Sequence, residues 1–290
     1  MKKRNLLMVV VLVIALFSLT GCTIPTDPDT GKYIYITSET TFNSIMQSEN
    51  WFTAIFVYPL AQLINKWVSG GMNVGIAIVL ITVIVNAAIL LVTFKSNVDQ
   101  LKMQELQPEI SKLQKKYEGK TDEASKMKQA QEMNDIYKKN NVNPFGTILA
   151  TFIQFPVIIA MYQAVQRAQA VATGSFLGLS LEQSPITGIK AGNYGYIVIF
   201  IVMIIMQFLS MKIPSYLTER RAKAEAERHF KKYVKTKSPM QNQMYFMIVF
   251  ISFLAISWPT AMTLYWIISS MVNVAKQIFL HNTIHVKKNK

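Results

Sequence analysis

The chain has 290 residues, of which 51% are hydrophobic and only 16% are charged. A soluble globular domain usually has a charged share of about 25%, so this composition excludes an ordinary soluble protein and predicts an integral membrane protein. The formal net charge of +14 is compatible with nucleic acid binding, but in a membrane protein it first indicates basic cytoplasmic loops that face anionic lipid. The single cysteine excludes an intrachain disulfide.

The N-terminus has the pattern of a bacterial lipoprotein signal. The chain starts Met-Lys-Lys-Arg, an apolar run follows over residues 6–19, and Gly21 precedes Cys22. We therefore expect residues 1–21 to be a cleaved signal peptide and Cys22 to be the lipid-modified first residue of the mature protein, carrying for example palmitate. A short first membrane helix that is retained is the alternative.

Two extracytoplasmic segments are expected before the first span. Residues 22–50 are polar and rich in Thr, Ser, Asp and Pro, so we expect a tether and propose no fold for it. In residues 51–73, apolar side chains recur at helical spacing at Phe52, Ile55, Phe56, Leu60, Leu63, Ile64 and Trp67. The pattern predicts an amphipathic helix that lies in the outer headgroup layer or packs on the protein itself.

The first predicted span covers residues 75–94, which carry no charge. About 20 residues at a rise of 1.5 Å cross a hydrocarbon core of roughly 30 Å, and we expect Lys95 to end the span at the water. Asn86 lies near its centre. A carboxamide at that depth needs a hydrogen-bond partner that lipid does not offer, so Asn86 is expected to face other helices or a wet cavity.

Residues 95–140 are rich in lysine and acidic side chains and predict a water-exposed helical hairpin. The first helix carries an apolar stripe at Met103, Leu106, Ile110, Leu113 and Tyr117. Gly119 breaks the pattern and Thr121 is the expected cap of the second helix, whose stripe is Met127, Ala130, Met133 and Ile136. The two stripes either pack on each other or contact a substrate or partner.

Four more spans are predicted after the hairpin. Pro144 is expected at the start of the second span, and Pro214 is expected to end the third. The second and third spans are separated by a loop with few charges, and Trp258-Pro259 separates the last two. The predicted segments are the second span (145–165), the loop (166–192), the third span (194–213), a basic segment (215–240), the fourth and fifth spans (240–257 and 259–280) and a basic tail (282–290).

The expected fold class is therefore an all-α integral membrane protein with five transmembrane helices in a core of residues 74–281. Lysine and arginine are concentrated in the hairpin, in residues 215–240 and in the tail, which places these segments in the cytoplasm. A cleaved signal followed by five spans leads to the same orientation. We expect a multi-pass plasma membrane protein whose lipid-anchored N-terminus is outside and whose C-terminus is in the cytoplasm.

Four stretches of this sequence carry a family resemblance. They are Lys-Met-Gln-Glu-Leu-Gln-Pro-Glu-Ile-Ser-Lys-Leu (102–113), Tyr-Lys-Lys-Asn-Asn-Val-Asn-Pro-Phe-Gly (137–146), Ile-Gln-Phe-Pro-Val-Ile-Ile-Ala-Met-Tyr (153–162) and Leu-Tyr-Trp-Ile-Ile-Ser (264–269). Together they resemble the YidC family of membrane protein insertases (YidC/Oxa/Alb superfamily), in the lipoprotein form of Gram-positive bacteria. The resemblance covers residues 51–281 in collinear order.

The resemblance implies a function without bond chemistry, cofactor or metal. Such proteins hold a hydrophilic groove between their helices, open to the cytoplasm and to lipid, and help nascent spans enter the bilayer alone or beside the Sec translocon. Members with long basic tails contact the ribosome. We accordingly expect a monomer whose partners are nascent membrane proteins and anionic lipids, with the Sec translocon and the ribosome as further candidates.

Uncharged polar side chains on four of the predicted spans are candidates for the groove. We assign Asn86, Gln154 and Gln207 to it, and interpret Gln163 and Asn273 as packing between helices. Two aromatic side chains either line the groove or pack ordinarily, namely Tyr265 and Trp266. The family usually has an arginine at the position of Asn86 and a proline at that of Leu91, so a fixed positive charge for attracting acidic substrate tails is absent here.

Two other functions are compatible with parts of the sequence. A small-solute transporter would use the same intramembrane polar residues, but no inverted repeat or pair of broken helices is visible. A module that binds the ribosome or the lipid surface would use the basic segment 215–240 and the tail. The three histidines are too scattered for a metal set, and no nucleophile and base pair is visible, so an enzyme is not expected.

Overall fold

The structure is a computed structural model that describes residues 24–29, 31, 33–228, 230 and 240–286. Helices dominate it, with one two-stranded antiparallel ribbon, β1 (Ser175–Phe176) and β2 (Leu179–Ser180). The helices are α1 (Phe42–Ser48), α2 (Tyr58–Ser69), α3 (Val74–Glu105), α4 (Gln107–Lys116), α5 (Glu123–Lys139), α6 (Pro144–Arg167), α7 (Gln169–Ala172), α8 (Pro185–Lys190), α9 (Gly195–Arg228), α10 (Met240–Ala255) and α11 (Thr260–Val286). The predicted signal peptide and Cys22 lie outside the described residues.

Three of the described helices, α3, α6 and α9, are long and apolar enough to cross a membrane. A shorter apolar stretch, Tyr245–Ala255, falls within α10. Helix α11 is long enough, but Asn273, Lys276 and Gln277 interrupt its apolar sequence. The chain is therefore a helical membrane protein, and a count of five spans stays a prediction.

Two long helices continue past the residues at which the sequence predicted that a span would end. Helix α3 passes Lys95 and reaches Glu105, because the intervening segment consists mostly of good helix formers. It stops just before Pro108, which sits in the first turn of α4 where its missing N–H is not needed. Helix α9 continues through Pro214 to Arg228, so this proline does not end the helix. One proline removes a single backbone hydrogen bond, which a long helix can tolerate.

The chain forms two compact units. Among the described residues, unit 1 comprises those up to residue 87 together with 151–204 and 252–269, and unit 2 comprises those within 88–150, 205–251 and 270–286. Large fully buried side chains of unit 1 include Ile36, Ile64, Ile78, Ile81, Met161, Leu181, Met203 and Met262. Buried apolar side chains of unit 2 include Leu101, Ile110, Leu113, Tyr117, Val142 and Leu280.

The polar segment before the first span, for which the sequence suggested no fold, is ordered within unit 1. Thr41 caps α1 through a reciprocal capping box with Ser44. Ile36 is fully buried and forms a parallel β-bridge with Ala168, just beyond the end of α6. Asn65 of α2 donates from its amide to the Ile36 carbonyl at 2.6 Å. The segment is therefore part of the packed unit.

The chain is helical from residue 51 to residue 69, with a π-helical turn at Thr53–Val57 leading into α2. One side of this helix is fully buried in unit 1, at Ala54, Val57, Ala61 and Ile64. Other apolar side chains remain exposed, namely Trp51, Ile55 and Phe56. The helix therefore packs on the protein, which is one of the two predicted placements. Its exposed apolar side chains are compatible with the other one, a position in the outer headgroup layer.

Helices α4 and α5 form a hairpin within unit 2. Gly119 has a φ of +80° in the turn between them, a conformation that glycine adopts without strain. Asp122 caps α5, accepting from the Ser125 backbone N–H at 2.8 Å, so the expected cap at Thr121 is one residue early. Ile110, Leu113 and Tyr117 of the first stripe are buried, whereas Met127 on α5 is 69% exposed. The two stripes therefore do not bury each other completely.

Candidate functional site

Asn86 lies in unit 1, about 18 Å along α3 from its first residue at 1.5 Å per residue. Its amide nitrogen donates to the Thr82 carbonyl at 2.8 Å and lies 3.3 Å from the Ser269 hydroxyl oxygen of α11. The side chain is half-buried, and its amide oxygen accepts no hydrogen bond from the described residues. The Asn86 side chain therefore makes a polar contact between α3 and α11, and its amide oxygen remains an unused hydrogen-bond acceptor.

Tyr265 and Trp266 are buried in unit 1, with exposed fractions of 1% and 9%. Trp266 stacks on Trp258, with ring centroids 5.2 Å apart, and Trp258 in turn contacts Tyr162 at 4.5 Å. Trp266 therefore takes part in aromatic packing at the start of α11, and Tyr265 is buried beside it in the sequence. A groove role for either one stays a prediction.

The other predicted polar residues differ in their surroundings. Gln154 of α6 is half-buried and makes no hydrogen bond with the described residues. Gln163 is only 2% exposed. In unit 2, Gln207 of α9 accepts from the Ser270 hydroxyl at 2.8 Å, and Asn273 is half-buried. Asn86 and Gln207 lie in different units, each hydrogen-bonded to α11 within its own unit.

The sequence did not predict one buried ion pair, because Arg167 was expected to lie in a loop with few charges. Its guanidinium is 0% exposed and binds both carboxylate oxygens of Glu49 at 2.7 and 2.6 Å. A third N–H donates to the Ile34 carbonyl at 2.9 Å. This pair ties the segment before α2 to the end of α6 within unit 1. A lone arginine directly after a predicted span was the available signal, but its partner is 118 residues away.

A second buried charge lies in unit 2. Asp99 is 4% exposed and accepts from the Asn143 backbone N–H at 3.3 Å. Asn143 itself caps α6 by accepting from the Phe145 backbone N–H at 3.1 Å. The carboxylate of α3 therefore lies beside the positive end of the next long helix, where negative charge is stabilised.

Metal chemistry has no visible site in the part of the chain that the structure describes. No group of three or more histidine, cysteine, aspartate or glutamate side chains in the described ranges is placed to hold an ion.

Apolar helices that are long enough to cross a membrane and carry isolated polar side chains such as Asn86 and Gln207 define a helical membrane protein. The sequence profile described as "60Kd inner membrane protein" matches residues 63–288. The chain belongs to this family, and the resemblance to YidC proteins is confirmed.

Relatives of similar length match nearly the whole chain. A protein named "Membrane protein insertase YidC 2" from Bacillus anthracis is 31% identical over 100% of this chain and 98% of its own length. "Membrane protein insertase MisCA" from Bacillus subtilis (strain 168) is 30% identical over 83% of each chain. A solved structure titled "Active YidC insertase crystal structure with the first transmembrane domain resolved" has a TM-score of 0.52 at 21% identity. It matches 80% of this chain but only 49% of its own, so it supports the fold alone.

Proposed function

We propose that this protein inserts nascent transmembrane segments into a bacterial plasma membrane. The observation that carries the proposal is the match to a relative named an insertase over 100% of this chain and 98% of the relative. Insertion moves a segment from water into lipid and makes no covalent bond, so the function is not enzymatic and needs no cofactor.

The proposed topology has five spans, with α10 and α11 as the fourth and fifth. The N-terminus, lipid-modified at Cys22, is outside, and the hairpin, residues 215–240 and the tail are in the cytoplasm. The distribution of lysine and arginine supports this orientation. The basic cytoplasmic segments contact anionic lipid, and the ribosome and the Sec translocon are further partners.

The proposed mechanism is a hydrated groove that shortens the path of polar groups through hydrocarbon. A charged residue at the bilayer centre costs about 2.5 to 3.5 kcal/mol on insertion scales. Asn86 and Gln154 hydrate this groove, and Tyr265 and Trp266 of the same unit contribute to its wall. A separate hydrating role is proposed for Gln207 within unit 2. The free amide oxygen of Asn86 and the unbonded amide of Gln154 support the proposal, because both retain hydrogen-bonding capacity for water or an incoming backbone.

The test uses the purified protein in proteoliposomes with a single-span substrate whose translocated tail is acidic or neutral. Protease protection of the tail measures insertion. The wild type should insert both tails, and failure with every substrate contradicts the function itself. Solute flux through the same vesicles without insertion would favour a transporter instead.

The role of position 86 is tested in the same assay by Asn86→Arg. A fixed positive charge should raise insertion of the acidic tail several-fold relative to the neutral one, because it attracts the carboxylates. Asn273→Arg, in a residue assigned to packing, is the matched control. If the ratio of insertion efficiencies for the acidic and the neutral tail is unchanged in Asn86→Arg, the groove role is contradicted. In a separate experiment, a photocrosslinker at position 86 should label stalled nascent chains.

A further inference from the structure

Unit 1 contains a cavity of about 330 Å³ at the end of one of its long apolar helices. Its walls come from the last turns of α6, from α7, from the segment between β2 and α8, and from the turn between α10 and α11. The volume lies within the range of about 300 to 1,000 Å³ that is typical of small-ligand sites.

The charge of the cavity is negative. Glu182 lines it, and no lysine, arginine or histidine is among the lining residues. The Tyr35 hydroxyl donates to one carboxylate oxygen of Glu182 at 2.8 Å, which fixes the side chain and leaves its other oxygen available. A carboxylate without a basic neighbour in the lining attracts a cation.

Aromatic rings form another part of the wall. Tyr33, Tyr162 and Trp258 line the cavity, and the Tyr162 and Trp258 centroids are 4.5 Å apart. Trp258 is backed by the Trp266 ring, which holds it in place. Aromatic rings beside a carboxylate are the usual surroundings of an organic ammonium group, because the ring quadrupole attracts the cation and the apolar ring tolerates its methylenes.

Gln166 is a further lining residue of this cavity. It is only 7% exposed, and its amide nitrogen has no hydrogen-bond partner among the described residues. A buried donor without a partner is costly and rare in native proteins, so rotation of this amide toward an acceptor oxygen in the cavity would be favourable. The ligand should therefore combine an ammonium group with an acceptor oxygen.

We propose that this cavity binds the headgroup of an amine-bearing phospholipid. The ammonium group lies beside Glu182 among the rings of Tyr162 and Trp258, and a phosphate or ester oxygen accepts from the Gln166 amide. A lipid is favoured over a soluble amine because the cavity is at the end of α6, one of the helices able to cross the membrane, and is therefore level with the headgroups. Apolar lining residues such as Val165 and Leu181 suit the glycerol region of a lipid. This site does not depend on the proposed insertion function.

The test is native mass spectrometry of the full chain in detergent, titrated with phosphatidylethanolamine or phosphatidylglycerol of identical acyl chains. The ethanolamine lipid should bind about tenfold more tightly, the size expected for a charge pair combined with a cation and π contact. Glu182→Gln, which keeps an acceptor for Tyr35, should abolish this preference. Glu39→Gln removes an exposed carboxylate outside the cavity and should retain it.

A second variant distinguishes loss of lipid binding from loss of the folded structure. Gln166→Met keeps the volume and removes the donor, so it should weaken ethanolamine lipid binding while the thermal stability of the protein is unchanged or higher. Equal affinity for the two lipids, or an intact preference in Glu182→Gln, overturns the proposal. Tight binding of free phosphoethanolamine or of a lysine-containing peptide, without binding of the lipid, also overturns it because the occupant is then not a lipid.

Discussion

Removing the buried cation Arg167 should detach the segment before α2 from the end of α6. In Arg167→Met, the Glu49 carboxylate, 9% exposed, loses its bidentate partner, and the Ile34 carbonyl loses its donor. Breaking one side of a buried ion pair costs about 3 to 5 kcal/mol, because the remaining charge has neither water nor a counterion. Glu49→Gln should cost a similar amount, since it leaves a fully buried guanidinium uncompensated.

The double variant Arg167→Met with Glu49→Leu separates this explanation from simple loss of contacts. Both charges are then absent, and the residual cost is mainly the unsatisfied Ile34 carbonyl, about 1 to 3 kcal/mol. The double variant should therefore be less destabilised than either single variant. Such strong non-additivity is expected only for residues that interact directly.

Hydrogen exchange in detergent measures the effect locally. The Ile36 amide, which donates to the Arg167 carbonyl, reports opening of the segment. A loss of 3 to 5 kcal/mol accelerates its exchange by about two to three and a half orders of magnitude, or until the segment is fully open. Lys223→Met, which breaks an exposed ion pair with Glu219, is the control and should cost about 0.5 kcal/mol or less. Single variants close to wild type, or a double variant near the sum of the two, would refute the reasoning.

Two further predictions concern the α4–α5 hairpin in unit 2 and the contact between α3 and the β-ribbon in unit 1. Hydrogen bonds from Lys116 and then from Tyr117 hold the pKa of Glu132 below its ordinary value of 4.5. Their contribution to hairpin stability is therefore complete above pH 4.5 and is lost as the pH falls through the lower pKa of folded Glu132. Amide hydrogen exchange in α5 should therefore become faster in acid. In Glu132→Gln the exchange rate should depend less on pH. In unit 1, a Cβ on Gly75 would lie 2.0 Å from the Phe176 ring, so Gly75→Ala should destabilise by about 1 to 3 kcal/mol in thermal unfolding, with partial rescue by Phe176→Leu. If Gly75→Ala has wild-type stability, the ring is not held there.

For the hairpin and the long helices, local sequence information predicted that the helices exist better than it predicted where they end. Apolar periodicity placed α4 and α5, because their stripes and the turn at Gly119 are encoded within a few residues. The ends of helices were less predictable. Lys95 and Pro214 each appeared to end a span, but in a long helix a charge or a single proline is tolerated when the neighbouring turns supply the remaining hydrogen bonds.

The candidate polar residues could be selected from the sequence, but not their partners. An amide inside an apolar run is visible without a structure, and this is how Asn86 and Gln207 were chosen. That they bond to Ser269 and Ser270 respectively depends on packing against α11. The buried state of Tyr265 and Trp266 was likewise left open, since an aromatic pair on an apolar helix is compatible with a groove wall and with ordinary packing.

The sequence by itself determined the class of membrane protein, the three longest apolar helices, the basic hairpin and the family, because these depend on runs of residues and on short motifs that each report locally. Only the tertiary structure decided that Glu49 lies against Arg167 and that Glu182, Trp258 and Gln166 line one cavity. These groups are far apart in the chain and carry no common periodicity. Their meeting is the result of helix and loop packing, which balances burial against hydrogen bonding over the whole unit.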